Sequence, residues 1–86
     1  MQLTEHSIKR AQQRGISLNL LSKVIELPSR YYSRKYAPGN AKKLIFTKKT
    51  LNKALNDQVI DPKEFDKLKG VCLVSSKNVL VTIYHI

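Results

Sequence analysis

The C-terminal residues 71–86, VCLVSSKNVLVTIYHI, constrain the fold more than any other part of the chain. Two runs rich in valine, leucine and isoleucine flank the dipeptide Lys77-Asn78. Short apolar and β-branched runs separated by turn-forming residues are typical of paired β-strands. The end of the chain therefore predicts two antiparallel strands.

A second hairpin is indicated by residues 30–47, RYYSRKYAPGNAKKLIFT. Aromatic and aliphatic residues that favour strands stand on both sides of Pro38-Gly39-Asn40. Proline, glycine and asparagine each favour turns, so this tripeptide is a strong turn signal. We predict two strands joined at these three residues.

Capping residues predict two helices at the N-terminus. Thr4 suits an N-cap and Gly15 a helix stop, which gives a first helix over residues 5–14. Ser17 caps a second helix, which ends before Pro28. The second helix has an apolar face and is expected to serve packing; this face consists of Leu20, Leu21, Val24 and Ile25.

Two short helical segments are predicted between the hairpins, over Lys48–Asn56 and Asp61–Lys69. Asp61-Pro62 supplies an N-cap and a first helical residue, and Gly70 ends the segment. The predicted order is ααββα(α)ββ. We expect an α+β fold in which two N-terminal helices pack on one face of a twisted antiparallel sheet of about four strands.

Side chains alternate along the last predicted strand, so its faces can be assigned. One face carries Val79, Val81 and Ile83, and the other carries Leu80, Thr82 and Tyr84. Thr82 and Tyr84 are polar and mark the open face. By the same count His85 belongs to the apolar face, but at the end of the strand it can reach round the edge.

The composition limits the protein's partners. With 86 residues the chain forms one domain, residues 1–86, and 16 Lys+Arg against 6 Asp+Glu give a net charge of +10. Such an excess favours a polyanionic partner, and the scattered cations argue against a membrane-binding helix. We expect a soluble protein without an export signal of its own, and Cys72 is expected to be a buried core residue.

His6, Arg10 and Arg14 follow one another at four-residue spacing and would form a stripe on the first helix. This stripe is either a solvated helix surface or a site that grips phosphate. Two guanidiniums can hold phosphate oxygens and stabilise a pentacovalent transition state, and an imidazole can move protons near neutral pH. Spacing alone does not choose between these interpretations.

Other chemistries lack the residues they need. The six acidic residues are scattered, and no glycine-rich phosphate loop, HExxH motif or cysteine cluster is present, so we expect no metal or cofactor. RNA cleavage requires neither, because the 2′-hydroxyl of the RNA is the nucleophile. The protein has only to move two protons and stabilise the phosphorane.

Cations and tyrosines in the middle of the chain are candidates for contact with RNA. Tyr31, Tyr32 and Tyr36 lie among Arg30, Arg34 and Lys35, an arrangement that suits base stacking beside phosphate contacts. A half-buried strand with solvated charges is an equal alternative. The predicted RNA-binding residues are Lys9, Arg30, Tyr32, Arg34, Lys42, Lys43 and Lys48.

The segment HSIKRAQQRGIS resembles the N-terminal signature His-x3-Arg-x3-Arg-Gly-Ile-Ser of a widespread family of small bacterial proteins classified as a domain of unknown function. The closing VLVTIYH is similar to the last strand of that family. These proteins resemble the RelE-like toxin ribonucleases, a group that also takes in barnase, EndoU and the colicin tRNases. The segment from Arg30 to Lys53 matches no motif of the family.

The resemblance implies metal-independent RNA cleavage, cytoplasmic action and a dedicated antitoxin or immunity protein that forms a heterodimer with the toxin. It leaves open a free-standing type II toxin and the C-terminal piece of a larger secreted protein, as in contact-dependent inhibition. Transfer RNA is a slightly favoured substrate, and the inhibitor is expected to be acidic. The implied catalytic residues are His6, Arg10, Arg14, Thr82, Tyr84 and His85. The alternative function is a non-catalytic basic module that binds nucleic acid.

Overall fold

The computed structural model describes residues 1–86 and has an α+β fold of four α-helices and a five-stranded sheet. Two single-turn 3-10 helices, Ser29–Tyr31 and Pro38–Asn40, complete it. In chain order the main elements are β1 (Gln2–Leu3), α1 (Glu5–Gln13), α2 (Leu18–Val24), β2 (Ser33–Ala37), β3 (Ala41–Ile45), α3 (Lys48–Asn56), α4 (Pro62–Leu68), β4 (Val71–Ser76) and β5 (Val79–His85).

Every helix begins directly after a residue whose side chain caps it, and three of these caps, Thr4, Ser17 and Asp61, were predicted. The side chain of Ser17 accepts a hydrogen bond at the start of α2. Reciprocal capping boxes start the other three helices, and they pair Thr4 with Ser7, Thr47 with Thr50 and Asp61 with Glu64. A side-chain cap typically contributes about 1 kcal/mol, so local sequence fixes these boundaries. The predicted helices are confirmed, with α3 ending at Asn56 and α4 at Leu68.

The sheet has the order β1-β5-β4-β3-β2 and is mixed, not wholly antiparallel. The two predicted hairpins are present as β2–β3 and β4–β5. The prediction of about four antiparallel strands missed β1, which pairs with β5 in parallel through Gln2 and Leu3. Two residues are too few to show the alternation by which a strand is recognised in a sequence.

All four helices cover the same face of the sheet. Register places Leu44, Leu73 and Ile83 side by side across β3, β4 and β5, and all three belong to one buried cluster. The same cluster includes side chains from every helix, namely Ala11, Leu20, Leu21, Val24, Leu51, Ala54 and Leu68. The helices therefore form one layer on this face, as the sequence predicts.

A β-bulge interrupts the alternation of β5. Thr82 pairs with Val74 and Leu80 pairs with Ser75, so that Val81 has no partner in β4. An extra residue in one strand shifts the facing of all residues beyond it. The side-chain directions before and after Val81 therefore do not follow a simple alternation.

The predicted grouping of Val79, Val81 and Ile83 on one face is wrong because of this bulge. Leu80, predicted on the opposite face, is fully buried together with Ile83, whereas Val81 is 43% exposed. Thr82 and Tyr84 do lie on the face away from Ile83 and are partly exposed, as predicted. Cys72, the partner of Tyr84, is fully buried and free, as expected of a structural cysteine.

None of the helices has the length and apolar character needed to cross a membrane.

Candidate active site

Helix α1 lies along the outer edge of β5. Strand β1 covers only Val79 and Leu80, and the rest of that edge has no neighbouring strand. The helix follows β1 directly, and the Thr4 hydroxyl donates a 2.9 Å hydrogen bond to the carbonyl oxygen of Leu80. This bond holds the start of α1 against the bulged part of β5.

The stripe of His6, Arg10 and Arg14 meets the final strand at both of its ends. His6 Nε2 lies 3.4 Å from Thr82 Oγ1. Two turns further along α1, Arg14 Nη1 lies 3.3 Å from His85 Nδ1. We name these five residues the His–Arg row.

The second contact constrains the role of one imidazole nitrogen. A guanidinium carries only donors, so Nδ1 of His85 can only accept in this contact. The first contact is less restrictive, because a threonine hydroxyl donates or accepts equally well. Nε2 of His6 can therefore donate to or accept from Thr82, whereas Nδ1 of His85 can only accept from Arg14.

The two arginines of the row have no acidic partner. The one salt bridge of the chain joins Lys23 to Glu64, between α2 and α4. Arg10 contacts only the side-chain oxygen of Gln13, at 3.4 Å, and the buried Nε of Arg14 has no hydrogen-bond partner. No carboxylate neutralises either guanidinium, so both keep a charge that can attract an anion.

Tyr84 is the member of the predicted catalytic set that does not join the row. Its side chain lies on the same side of β5 as Thr82 and makes no hydrogen bond to the other predicted residues. The structure brings together His6, Thr82, Arg14 and His85, with Arg10 one helical turn from both His6 and Arg14. No group of three or more His, Cys, Asp or Glu side chains is placed to hold a metal ion.

The predicted RNA-binding residues are divided among several surfaces. Lys9 is exposed on α1, Lys48 on α3, and Lys43 lies on the face away from the helices. Arg30 is exposed and stacks 5.0 Å from the centre of the Tyr31 ring. Only Tyr32, Arg34 and Lys42 come together, in a cleft on the helix-covered face where the helices leave the sheet open.

Burial excludes Tyr31 as a stacking surface for bases. Its side chain is 2% exposed, and its hydroxyl donates a 2.7 Å hydrogen bond to the Asp57 carboxylate. Tyr36 is 74% exposed and Tyr32 is half-buried, so these two rings remain accessible. Tyr31 is thus a core residue that lies before strand β2, and half-buried Tyr32 also packs against the core.

The other polar residues of the cleft were not predicted from the sequence. Ser75 lies in its floor, and Asn40, Lys77 and Asn78 come from the two hairpin turns. The turns themselves were predicted, and all three turn residues have positive φ. The sequence did not show the register of β3 and β4, which brings both turns to the same end of the sheet.

Comparisons with protein-family models, with curated proteins and with solved structures gave no match to this chain.

Proposed function

We propose that this protein is a metal-independent endoribonuclease whose active site is the His–Arg row. The proposal rests on two contacts between α1 and β5: His6 with Thr82, and Arg14 with His85. They place two imidazoles beside two guanidiniums that have no acidic partner. Two proton-transfer groups and a cationic phosphate site are the components that RNA transesterification requires. The net charge of +10 supports a polyanionic substrate.

In the proposed reaction the RNA 2′-oxygen attacks the adjacent phosphorus, and the bond from phosphorus to the 5′-oxygen breaks. The attacking hydroxyl gives its proton to a base, and the leaving oxygen takes a proton from an acid. The products are a 2′,3′-cyclic phosphate and a 5′-hydroxyl, and no water or metal is consumed.

The contacts of the row support a division of roles between the two histidines. Nδ1 of His85 faces the guanidinium of Arg14 as an acceptor, and a ring nitrogen that accepts suits the base. When Arg14 turns its donors to the phosphate, Nδ1 of His85 becomes free to take the 2′-hydroxyl proton. Protonated His6 suits the acid, because Thr82 can accept from its Nε2 and leave the other ring N–H for the 5′-oxygen.

Arg10 and Arg14 would stabilise the charge of the phosphorane. Planar guanidiniums bind phosphate oxygens in pairs, and the bond becomes stronger as negative charge develops. Thr82 orients the His6 ring and the bound phosphate. Tyr84 is the alternative second proton donor, from its position on the same side of β5 as Thr82.

We further propose that the chain belongs with the RelE-like toxin ribonucleases and acts on RNA in the cytoplasm, with tRNA as the favoured substrate. Such a toxin requires a dedicated inhibitor. An acidic antitoxin or immunity protein would gain both association rate and complementarity from the basic surface.

The test is incubation of RNA with purified protein in EDTA, followed by analysis of the product ends by mass spectrometry. The substrates are a tRNA mixture and an mRNA of equal total length. We expect wild-type protein to leave 2′,3′-cyclic phosphate and 5′-hydroxyl ends, and we expect His6→Ala and His85→Ala to leave the RNA intact. Lys63→Ala, which removes an exposed cation of α4, is the matched control and should cleave normally.

A result with salt-sensitive RNA binding and no cleavage would replace the proposal with a non-catalytic nucleic-acid-binding module. Equal cleavage by the wild type and both histidine variants would show that the row is not the active site.

A further inference from the structure

The cleft that contains Tyr32, Arg34 and Lys42 is a second basic site, separate from the His–Arg row. It has a volume of about 360 Å³, which lies in the usual range of ligand-binding clefts. The row lies at the outer edge of β5, whereas the cleft opens over β2, β3 and β4 at the end where both hairpins turn. None of the residues of the row lines it.

Three cationic side chains line the cleft, together with Met1, and no acidic residue does. Arg34 comes from β2, Lys42 from β3 and Lys77 from the β4–β5 turn. None of the three takes part in a salt bridge, since the one salt bridge joins Lys23 to Glu64. Three unpaired cations around one concave surface create a positive potential that favours an anion.

The surroundings of Arg34 favour its charged form. The neighbouring hydroxyl of Tyr32, and after it that of Tyr36, raises the pKa of Arg34 above its ordinary value. A permanently charged planar guanidinium is the side chain best suited to two oxygens of one phosphate group.

The rest of the cleft is not purely ionic. The Tyr32 ring is fixed by edge-to-face packing on Phe46, at 5.9 Å between ring centres, and buried Leu44 lies beside it. Ser75 is 5% exposed and lines the floor. The cleft therefore offers an aromatic surface and a hydroxyl next to the cations.

We propose that this cleft binds a phosphorylated nucleoside. The phosphate would lie against Arg34, Lys42 and Lys77, the sugar hydroxyls near Ser75, and the base against Tyr32 and Leu44. The ligand is either a free mononucleotide or one nucleotide within an RNA strand. Binding here does not depend on whether the His–Arg row cleaves RNA.

The test uses the ¹⁵N-labelled wild-type chain, titrated separately with AMP, adenosine and inorganic phosphate and followed by backbone amide shifts. AMP contains no phosphodiester, so cleavage cannot interfere. We expect AMP to shift the amides of Asn40, Ser75 and Lys77 and to leave those of His6 and His85 unmoved. Adenosine and phosphate should bind at least about tenfold more weakly than AMP, because each lacks half of the contacts.

Variants then test the named cations. Arg34→Gln and Lys42→Gln should each weaken AMP binding by about tenfold, whereas the control Lys63→Gln should bind normally. The absence of AMP binding would overturn the proposal. Equal loss in Lys63→Gln, or shifts confined to His6 and His85, would also overturn it.

A short RNA, added to the AMP complex of the His6→Ala, His85→Ala double variant, identifies the source of the ligand. If the RNA displaces AMP, the cleft binds a nucleotide of the strand; if AMP stays bound, the cleft binds the free nucleotide. Because this variant lacks both imidazoles of the row, a failure of the proposed ribonuclease activity leaves this result unaffected.

Discussion

Arg14 and His85 are 71 residues apart in sequence, and the side chain of Arg14 donates to Nδ1 of His85 across 3.3 Å. This contact joins the end of α1 to the end of β5, with Nδ1 of the imidazole as the acceptor. It also places the Arg14 guanidinium beside the position proposed for the scissile phosphate. The pair is therefore the most sensitive point at which to test the proposed mechanism.

Replacement of His85 should remove the base and leave the phosphate site intact. We expect His85→Ala to lower kcat for RNA cleavage by about 10² to 10⁴, the usual contribution of general acid–base catalysis. KM should change little, since Arg10 and Arg14 remain. Steady-state kinetics on a short fluorescent RNA gives both values, and a change in KM alone would assign His85 to binding.

Replacement of Arg14 by lysine should show that the planar guanidinium matters, and not only its charge. A lysine keeps the cation but loses the paired donors that match phosphate oxygens. We expect Arg14→Lys to lower kcat/KM by about tenfold or more, the equivalent of one charge-assisted hydrogen bond. Lys63→Arg, a change between the same two residue types at an exposed position of α4, is the control. Full activity of Arg14→Lys would contradict the role given to Arg14.

Thr4 should contribute more to stability than an ordinary helix cap. Its Oγ1 accepts from the backbone N–H of Ser7 and also donates to the carbonyl of Leu80, which joins α1 to β5. Thr47 caps α3 within its own helix only. We expect Thr4→Ala to lower the free energy of unfolding by about 1.5 to 3 kcal/mol and Thr47→Ala by about 1 kcal/mol.

Urea denaturation of both Thr4→Ala and Thr47→Ala measures this difference. Thr4→Ser retains the hydroxyl and should recover most of the loss. If Thr4→Ala and Thr47→Ala were equally destabilised, the bond to Leu80 would add nothing to the fold.

Gln58 follows the end of α3 in the left-handed conformation, with φ of 61°, and its N–H bonds to the carbonyl of Leu55. Glycine adopts this conformation without the steric cost of a Cβ. We expect Gln58→Gly to raise the free energy of unfolding by about 0.5 to 1 kcal/mol. Gln12→Gly, within α1, should lower the free energy of unfolding by about 1 kcal/mol. Thermal unfolding of both variants should therefore show stability changes of opposite sign.

Most of the helical structure could be predicted because its signals are local. Thr4, Ser17, Thr47 and Asp61 each cap the helix that follows, and the effect of a cap depends on the next three residues alone. The two hairpin turns were equally readable, since the residues at both turns tolerate positive φ.

Features that depend on pairing between distant strands could not be predicted. The bulge at Val81 exists only because Val74 and Ser75 pair with residues on either side of it. The two-residue strand β1 carries no pattern of its own and forms through Val79 and Leu80.

The same distinction applies to the two candidate sites. The four-residue spacing of His6, Arg10 and Arg14 places them on one side of α1 in any fold that contains this helix. The cleft required Lys42 and Lys77 to meet across the sheet, and this depends on the register of β3 and β4. Sequence therefore predicted the row, but only some of the residues in the cleft.

Tyr31 provides a test of whether the tyrosines of the basic segment have different roles. Its buried hydroxyl donates to Asp57 and joins the segment before β2 to the end of α3. Tyr31→Phe should therefore lower the free energy of unfolding by about 0.5 to 1.5 kcal/mol and leave the affinity for RNA unchanged. Tyr36→Phe should have no effect on stability, because that side chain is exposed. Urea denaturation and RNA titration of both variants separate the effects, and a loss of RNA affinity in a fully stable Tyr31→Phe protein would contradict a purely structural role for the Tyr31 hydroxyl.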